Sequence, residues 1–312
     1  MNLSVEYRDS MNKYNQLTFN INKVAFVKHL AFAGQDFAPK LQKLLRTLGM
    51  LLHYGYYLES SAMNNDYFST PPIFLSDPTE KAQFSNLAGK AIADYLSKMI
   101  SKSILTMNYE AALRILNIPI QGQRPDLIAF SRNYTYAIEA KGYTNGHGDM
   151  SLHKLQAMSA HKRIHVDFAI ACVSYNIYNK IKCNYYDPSY DMISSSSESF
   201  REDDLFRNIS RQYYKGLSTF LVPEYFKISD VKYSGEEFYE IELFSKYLNN
   251  GRFIPRWLYQ VQDLYNPRLL ITKKVEKFAK DGITRELPVF ESIQEGTLYI
   301  DADRVGLRLE RA

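Results

Sequence analysis

Two hydrophobic periods run through this chain and mark out its elements. In 79–100 the apolar residues Phe84, Leu87, Ala88, Ala91, Tyr95 and Met99 recur at three and four, which predicts a long amphipathic helix with Thr79 as its cap. The stretch before it, STPPIFLSDPTE, carries paired prolines that cannot continue a helix. Further upstream, LQKLLRTLGMLLHYGYYL at 41–58 has the same helical period, and VAFVKHLAFAG at 24–34 is a short apolar stretch. A short helix is predicted at 109–116, ended by Pro119 and Gly122.

The period then changes. RPDLIAF (124–130) and YTYAIEAK (134–141) read as two short strands joined by a tight turn, and GYTNGHGD follows as a glycine-rich loop. A helix is expected over 150–163, and VDFAIACVSY (166–175) is apolar at nearly every position, as a buried strand is. The run SSSSES at 194–199 reads as a loop, and 200–312 mixes helical patches with the strands FKISDVKY, EFYEIELF, GTLYI and GLRLE. The central order helix–strand–strand–helix–strand predicts a mixed α/β (α+β) fold, a core sheet flanked by helices. Three regions follow: an N-terminal helical extension at 1–75, a core at 76–185, and a C-terminal α+β region at 200–312. The last is either part of the same domain or an element for DNA recognition or dimerisation.

Composition narrows the class. With 312 residues, 46% hydrophobic and 23% charged, the chain is long enough to bury a large core. A net charge of +4 suits a polyanionic partner without demanding one. The 25 tyrosines could stack on bases, but they also cover ordinary surfaces. Two cysteines, Cys172 and Cys183, make neither a disulfide framework nor a four-ligand zinc cage, which points to a reducing, cytoplasmic setting. The N-terminus lacks an apolar signal segment, and the longest apolar runs, 24–27 and 168–173, are too short to span a bilayer. HExxH, CxxC pairs, GxxxxGK[ST] and GxSxG do not occur.

The chemistry lies in the central hairpin. Successive strand side chains point to opposite faces, so Glu139 and Lys141 share a face and Tyr136, Ile138 and Ala140 take the other. Closing the turn over 131–134 and stepping back along both strands sets Asp126 opposite Glu139. Directly opposed Cβ atoms lie about 4.5–5.5 Å apart, so two carboxylates would stand side by side with an ammonium one step along. Opposed carboxylates repel unless a cation lies between them, and magnesium is a hard cation suited to that place. Lys141 beside two carboxylates has its pKa pushed up, so electrostatic stabilisation fits it better than proton abstraction.

Pro125-Asp126, twelve residues, then Glu139-Ala140-Lys141 resembles the signature of the PD-(D/E)XK nuclease superfamily, whose core is the restriction-endonuclease-like fold. The resemblance covers roughly 79–175. It implies that Asp126, Glu139 and the carbonyl of Ala140 hold Mg2+, with Mn2+ as a substitute, and that Lys141 is the catalytic lysine. The preceding helix often supplies a further glutamate in that superfamily; Glu80 is the candidate and Glu110 its rival. Some branches use a glutamine on the helix after the lysine, where Gln156 lies. The implied activity is hydrolysis of phosphodiester bonds in double-stranded DNA, in the manner of a type II restriction endonuclease acting as a homodimer. A repair, recombination or anti-phage nuclease of the same fold is the alternative, and a non-catalytic DNA-binding module is the alternative from another class.

Four of the six histidines, His147, His153, His161 and His165, fall near the helix after the hairpin. His161 and His165 stand one turn apart, a spacing that can hold zinc. Lys154, Lys162 and Arg163 make the same helix basic, which suits phosphate contacts as well as a solvated face. Lys154, His161, Arg163 and Gln156 are therefore the candidate nucleic-acid contacts.

Overall fold

The computed structural model describes residues 1–9, 13–34, 49–50, 53–70, 77–186, 202–224, 226–242 and 267–309. The protein is a mixed α/β structure with two sheets. Thirteen strands are described: β1 (Asn2–Arg8), β2 (Tyr14–Asn20), β3 (Leu105–Asn108), β4 (Leu127–Phe130), β5 (Thr135–Gly142), β6 (Phe168–Tyr175), β7 (Lys182–Tyr186), β8 (Lys227–Tyr233), β9 (Glu236–Glu242), β10 (Pro267–Thr272), β11 (Ile293–Glu295), β12 (Leu298–Ile300) and β13 (Val305–Leu309). The seven-stranded sheet has the order β2-β1-β7-β6-β5-β4-β3, and the six-stranded sheet β11-β12-β13-β10-β9-β8. The helices are α1 (Lys23–Phe32), α2 (Ser60–Asn64), α3 (Pro78–Met99), α4 (Tyr109–Ile115), α5 (Met150–Met158), α6 (Glu202–Ser218) and α7 (Val275–Asp281).

The predicted long helix is α3, and its stripe meets the core: Phe84, Ala88, Ala91 and Tyr95 are buried, with Leu87 and Met99 partly so. Its cap is Asp77, not Thr79; the Asp77 carboxylate accepts from the Thr79 N–H. The short helix, the two hairpin strands and the apolar strand are found as α4, β4, β5 and β6. The 150–163 helix is α5 followed by a 3-10 turn, Ser159–Lys162. The helical pattern at 41–58 falls largely outside the described residues, as does the serine run at 194–199.

The N-terminal region is not helical throughout. Residues Asn2–Arg8 and Tyr14–Asn20 pair as the antiparallel strands β1 and β2, and β1 adds in parallel to β7 in the large sheet. The alternation that buries Leu3 and Val5 is a strand signal. The core at 76–185 therefore shares its sheet with the N-terminus. One buried hydrophobic cluster runs from Met1 to Leu309 and takes in the C-terminal region as well.

The apolar stretch at 24–34 became α1, capped by Asn22, whose side chain accepts from the Ala25 N–H at 2.7 Å. Residues 24–32 of α1 are buried all round, Lys28 and His29 included. Their charges meet partners from three directions. Lys28 pairs with Asp301 and, at 2.7 Å, Asp303, in the turn between β12 and β13. Lys98 of α3 pairs with Asp301, Asp303 and Asp94. His29 bonds Asp94 at 2.8 Å and the Tyr299 hydroxyl at 2.9 Å, and Tyr213 of α6 donates to Asp303 at 2.7 Å. Burial works against the charge on Asp94 and Asp301, but the lysines and His29 outweigh it and hold both carboxyls below the usual range. The cluster ties α1 and α3 to the C-terminal sheet. Removing one member leaves an uncompensated buried charge. Lys98→Ala is expected to lower unfolding stability by about 3–5 kcal/mol. Urea denaturation checks this, and a loss under about 1 kcal/mol, the range of an exposed ion pair, would contradict it.

Candidate active site

Two short strands and a helix build the site. The turn closes with Ser131 N–H donating to the Tyr134 carbonyl at 2.9 Å. From there β4 and β5 pair as Phe130 with Thr135 back to Leu127 with Ile138. Asp126, one step before β4, departs from that register: its N–H donates at 3.1 Å to the carbonyl of Ile138, the residue that Leu127 already pairs with. The direct opposition to Glu139 expected from the sequence is not part of the ladder; the two carboxylates are brought together instead by Lys141, which meets both. Pro125 lacks an N–H and ends the ladder there, which frees the Asp126 side chain to turn across the strand end.

The carboxylates and lysine converge. Lys141 Nζ lies 2.7 Å from Glu139 Oε1 and 3.4 Å from Asp126 Oδ2. Glu139 is fully buried, whereas Asp126 and Lys141 are 23% and 30% exposed, so the cluster opens outward through those two. Burial first, then the neighbouring charge of Asp126, pushes the Glu139 carboxyl up to about 7. Burial also works against the charge on Lys141, but Asp126 and Glu139 outweigh it and hold its pKa above the ordinary value. Lys141 is thus an ammonium at neutral pH, in line with an electrostatic role.

A second lysine completes the cluster, and sequence reasoning missed it. Lys90 Nζ lies 3.1 Å from Asp126 Oδ1. It comes from α3, which crosses β5 at a contact between two glycines. A Cβ on Gly142 would overlap the Ser85 carbonyl, and one on Gly89 would overlap the Gly142 backbone. That close crossing sets the turn of α3 bearing Lys90 against the strand end. Lys90 sits beside Ala91 on the border of the apolar stripe, and in sequence it reads as an ordinary solvated lysine.

The same crossing decides the auxiliary carboxylate. Glu80 lies ten residues before Lys90, about 15 Å along the helix. It faces Tyr57 instead, where its charge adds to the burial that raises the phenol. The expectation that Glu80 joins the metal ligands is therefore corrected. Glu110 is nearer: it lines a cavity of about 270 Å³ together with Asp126, Arg124 and Gln156. Arg124 Nε donates to Glu110 at 2.6 Å, and Gln156 Nε2 donates to the Arg124 carbonyl at 2.9 Å. Gln156 thus braces the loop that carries Asp126.

The remaining calls separate. Lys154 lies on the other side of α5, over the Tyr186 ring. Arg163 donates to the Gln121 carbonyl, beside the loop of the same cavity. The side chain of His161 falls outside the described residues, so its pairing with His165 has no structural description. His153 is buried and bonds the Tyr143 hydroxyl at 2.9 Å; burial first, then the Lys141 charge, lowers its pKa. His147 is exposed. Among the described residues, His29, Asp94 and Asp301 form the only three-residue group within metal-binding reach of one another. Lys28 and Lys98 already neutralise those carboxylates, and the group is sealed in the core.

A hard divalent cation fits the Asp126–Glu139 pair better. Glu139 Oε1 is buried against the Lys141 ammonium, and Oε2 is buried with no hydrogen-bond partner among the described residues. Such an acceptor calls for an explanation, and a cation between neighbouring carboxylates supplies one. Ala140 adds a third oxygen. Its N–H donates to Asp126 Oδ2 at 3.2 Å, and the N–H and C=O of one strand residue point to the same side. The Ala140 carbonyl accordingly faces the Asp126 edge, just past the point where β4 stops.

The fold and site together define a mixed α/β protein with an acidic, lysine-flanked pair at the end of a sheet hairpin. Compared with family models, curated proteins and solved structures, the chain matches none. Among the described residues, no helix is long and apolar enough to cross a membrane.

Proposed function

We propose that this protein is a magnesium-dependent nuclease of the PD-(D/E)XK type, cutting phosphodiester bonds in double-stranded DNA. One observation carries the reading. Glu139, a buried carboxylate with one oxygen unpartnered among the described residues, shares Lys141 with a second carboxylate, Asp126. Asp126, Glu139 and the Ala140 carbonyl would hold the ion, and manganese would substitute for it. The bound cation supplies Lewis-acid assistance to an attacking water and neutralises charge that develops on phosphate. Lys141 keeps its proton and faces the place where that charge appears. Lys90 and Lys141 balance the two carboxylates when DNA is absent. Glu110, on the cavity that Asp126 enters, is the carboxylate best placed to orient water. A restriction-type role as a homodimer remains the particular reading for this activity, and a repair, recombination or anti-phage nuclease is its alternative.

One feature favours a second reading. Asp126 meets two ammonium groups, 3.1 and 3.4 Å away, which also suits a metal-independent DNA-binding cluster. Supercoiled plasmid incubated with magnesium, manganese or a chelator separates the two. Nicked or linear product with either metal and none with chelator is expected. Retention of plasmid on the protein with no cleavage under any of the three conditions would replace the nuclease with the binder. Sequencing the ends then tells a fixed site from scattered cutting.

A further inference from the structure

A second cavity lies away from Asp126. A groove of about 620 Å³ runs between α5 and the β7–β1 pair, and its lining includes Glu6, Arg8, Lys154, Leu155, Asn184 and Tyr186. Strand register shows how it relates to the proposed catalytic cluster. Glu139 pairs with Ala171, Ala171 with Tyr186, and Tyr186 with Arg8. Lys141 pairs with Val173, Val173 with Asn184, and Asn184 with Glu6. Paired residues share a sheet face, so the groove floor and the catalytic pair lie on one face: Tyr186 and Asn184 are two strand spacings away, about 9–10 Å, and Arg8 and Glu6 three, about 14 Å. Helix α5 packs on β5 and β6 between them. It turns Gln156 toward the Asp126 cavity and Lys154 toward the groove.

The chemistry of the groove is mixed in a specific way. Arg8 and Lys154 lie over the Tyr186 ring, 5.6 and 5.2 Å from its centre, so the aromatic platform is covered by two cations, which adjoining phosphates would draw aside as a base takes their place. Beyond Arg8 in the same register comes Tyr14, half exposed on the edge strand. Asn184 Oδ1 is buried in the groove wall and accepts no hydrogen bond among the described residues. Glu6 beside it adds a carboxylate. A lipid would leave these acceptors unpaired, and a simple anion would be repelled by Glu6. A nucleotide answers all of them: a base face for Tyr186, ring amino groups as donors to Asn184 and Glu6, and phosphates for Arg8 and Lys154.

We propose that this groove binds unpaired nucleotides of the substrate, with a base stacked on Tyr186 and the adjoining phosphates held by Arg8 and Lys154. The inference rests on the nuclease reading and deepens it. The two-strand separation of Tyr186 from Glu139 corresponds to roughly three stacked nucleotides at a 3.4 Å rise, so a single-stranded flank held in the groove positions the duplex portion of the same molecule near Asp126 and Glu139.

The test uses the full chain and a fluorescein-labelled single-stranded oligonucleotide about ten nucleotides long, a typical site size for one such groove. Anisotropy is read in calcium, with a blunt duplex of equal length beside it. Tyr186→Ala is expected to weaken single-strand binding about tenfold or more, while Tyr186→Phe, which keeps the ring, stays within about twofold of wild type. Arg8→Gln is expected to weaken binding and flatten its salt dependence by about one unit. Failure of wild type to bind the oligonucleotide, or a loss of less than about twofold in Tyr186→Ala, overturns the groove assignment. Equal losses for duplex and single strand overturn the unpaired-strand assignment. Wild-type cleavage of plasmid in magnesium is scored separately. Cleavage with no effect of Tyr186→Ala on binding sinks the groove alone; tyrosine-dependent binding without cleavage sinks the nuclease reading alone.

Discussion

Asp126→Ala and Glu139→Ala are each expected to slow magnesium-dependent strand cleavage by about a thousandfold or more. Losing the ion removes several kcal/mol of transition-state stabilisation, and each 1.36 kcal/mol is tenfold in rate. Folding should survive both changes, because the carboxylate repulsion each removes offsets the lysine contact it loses, and Lys141 and Lys90 can turn outward to solvent. Wild-type rates in both variants would show that the hairpin cluster is not the catalytic centre.

The raised Glu139 pKa adds a pH signature. The folded protein holds this proton up to about 7, whereas the unfolded chain releases it near 4.5. Stability from this group is therefore complete below pH 4.5, declines as pH rises through the window to about 7, and is then gone. The loss is on the order of 3 kcal/mol. Glu139→Gln removes the titrating group. In chelator at pH 8 it should melt above wild type, and at pH 5 the gap should shrink. Magnesium should reverse the order at pH 8, because it stabilises only a protein that keeps the carboxylate. Metal affinity should in turn fall below pH 7 as Glu139 takes up its proton. A pH-independent gap between the two proteins would contradict the assigned titration.

Lys141→Ala is expected to bind DNA in calcium about as tightly as wild type, yet cut it orders of magnitude more slowly in magnesium. Its ammonium sits between Glu139 and Asp126 and is held charged by them. An interaction made chiefly in the transition state lowers turnover when removed and spares binding. Calcium fills carboxylate sites with looser geometry and supports in-line attack poorly, so binding can be read without cutting. Anisotropy in calcium and single-turnover cleavage in magnesium make the comparison. Lost DNA binding in Lys141→Ala, together with an inactive wild type, would leave the cluster as a DNA-binding or structural element.

Local rules carried far in this chain. The alternation in YTYAIEAK and the tight turn before it were enough to set the hairpin register as far as Leu127 and Ile138, because antiparallel register follows from where the turn closes; Asp126, next along, slips by one. The same holds for α3, whose stripe at three and four met the core as expected. The limits were also local. The strands at 2–8 and 14–20 are not legible in sequence in the same way, although Leu3 and Val5 alternate with polar residues, because the place of β1 in the sheet is set by its pairing with the distant β7.

What the sequence determined by itself is the hairpin, its paired carboxylates and the lysine beside them, since all of these depend on neighbours within a few residues. What only the tertiary structure decided is which distant groups meet them. Glu80 and Lys90 lie on one helix, and the crossing at Gly89 and Gly142, not the spacing, brought Lys90 to Asp126 and left Glu80 with Tyr57. Lys28 and His29 read as charges within an apolar stretch, and their partners Asp94, Asp301 and Asp303 lie far along the chain. The groove at Tyr186 likewise joins residues 6 and 8 to 154, 184 and 186. Helical and strand periods report each residue's own face, but the choice of partner belongs to how separate elements pack, and no local pattern encodes it.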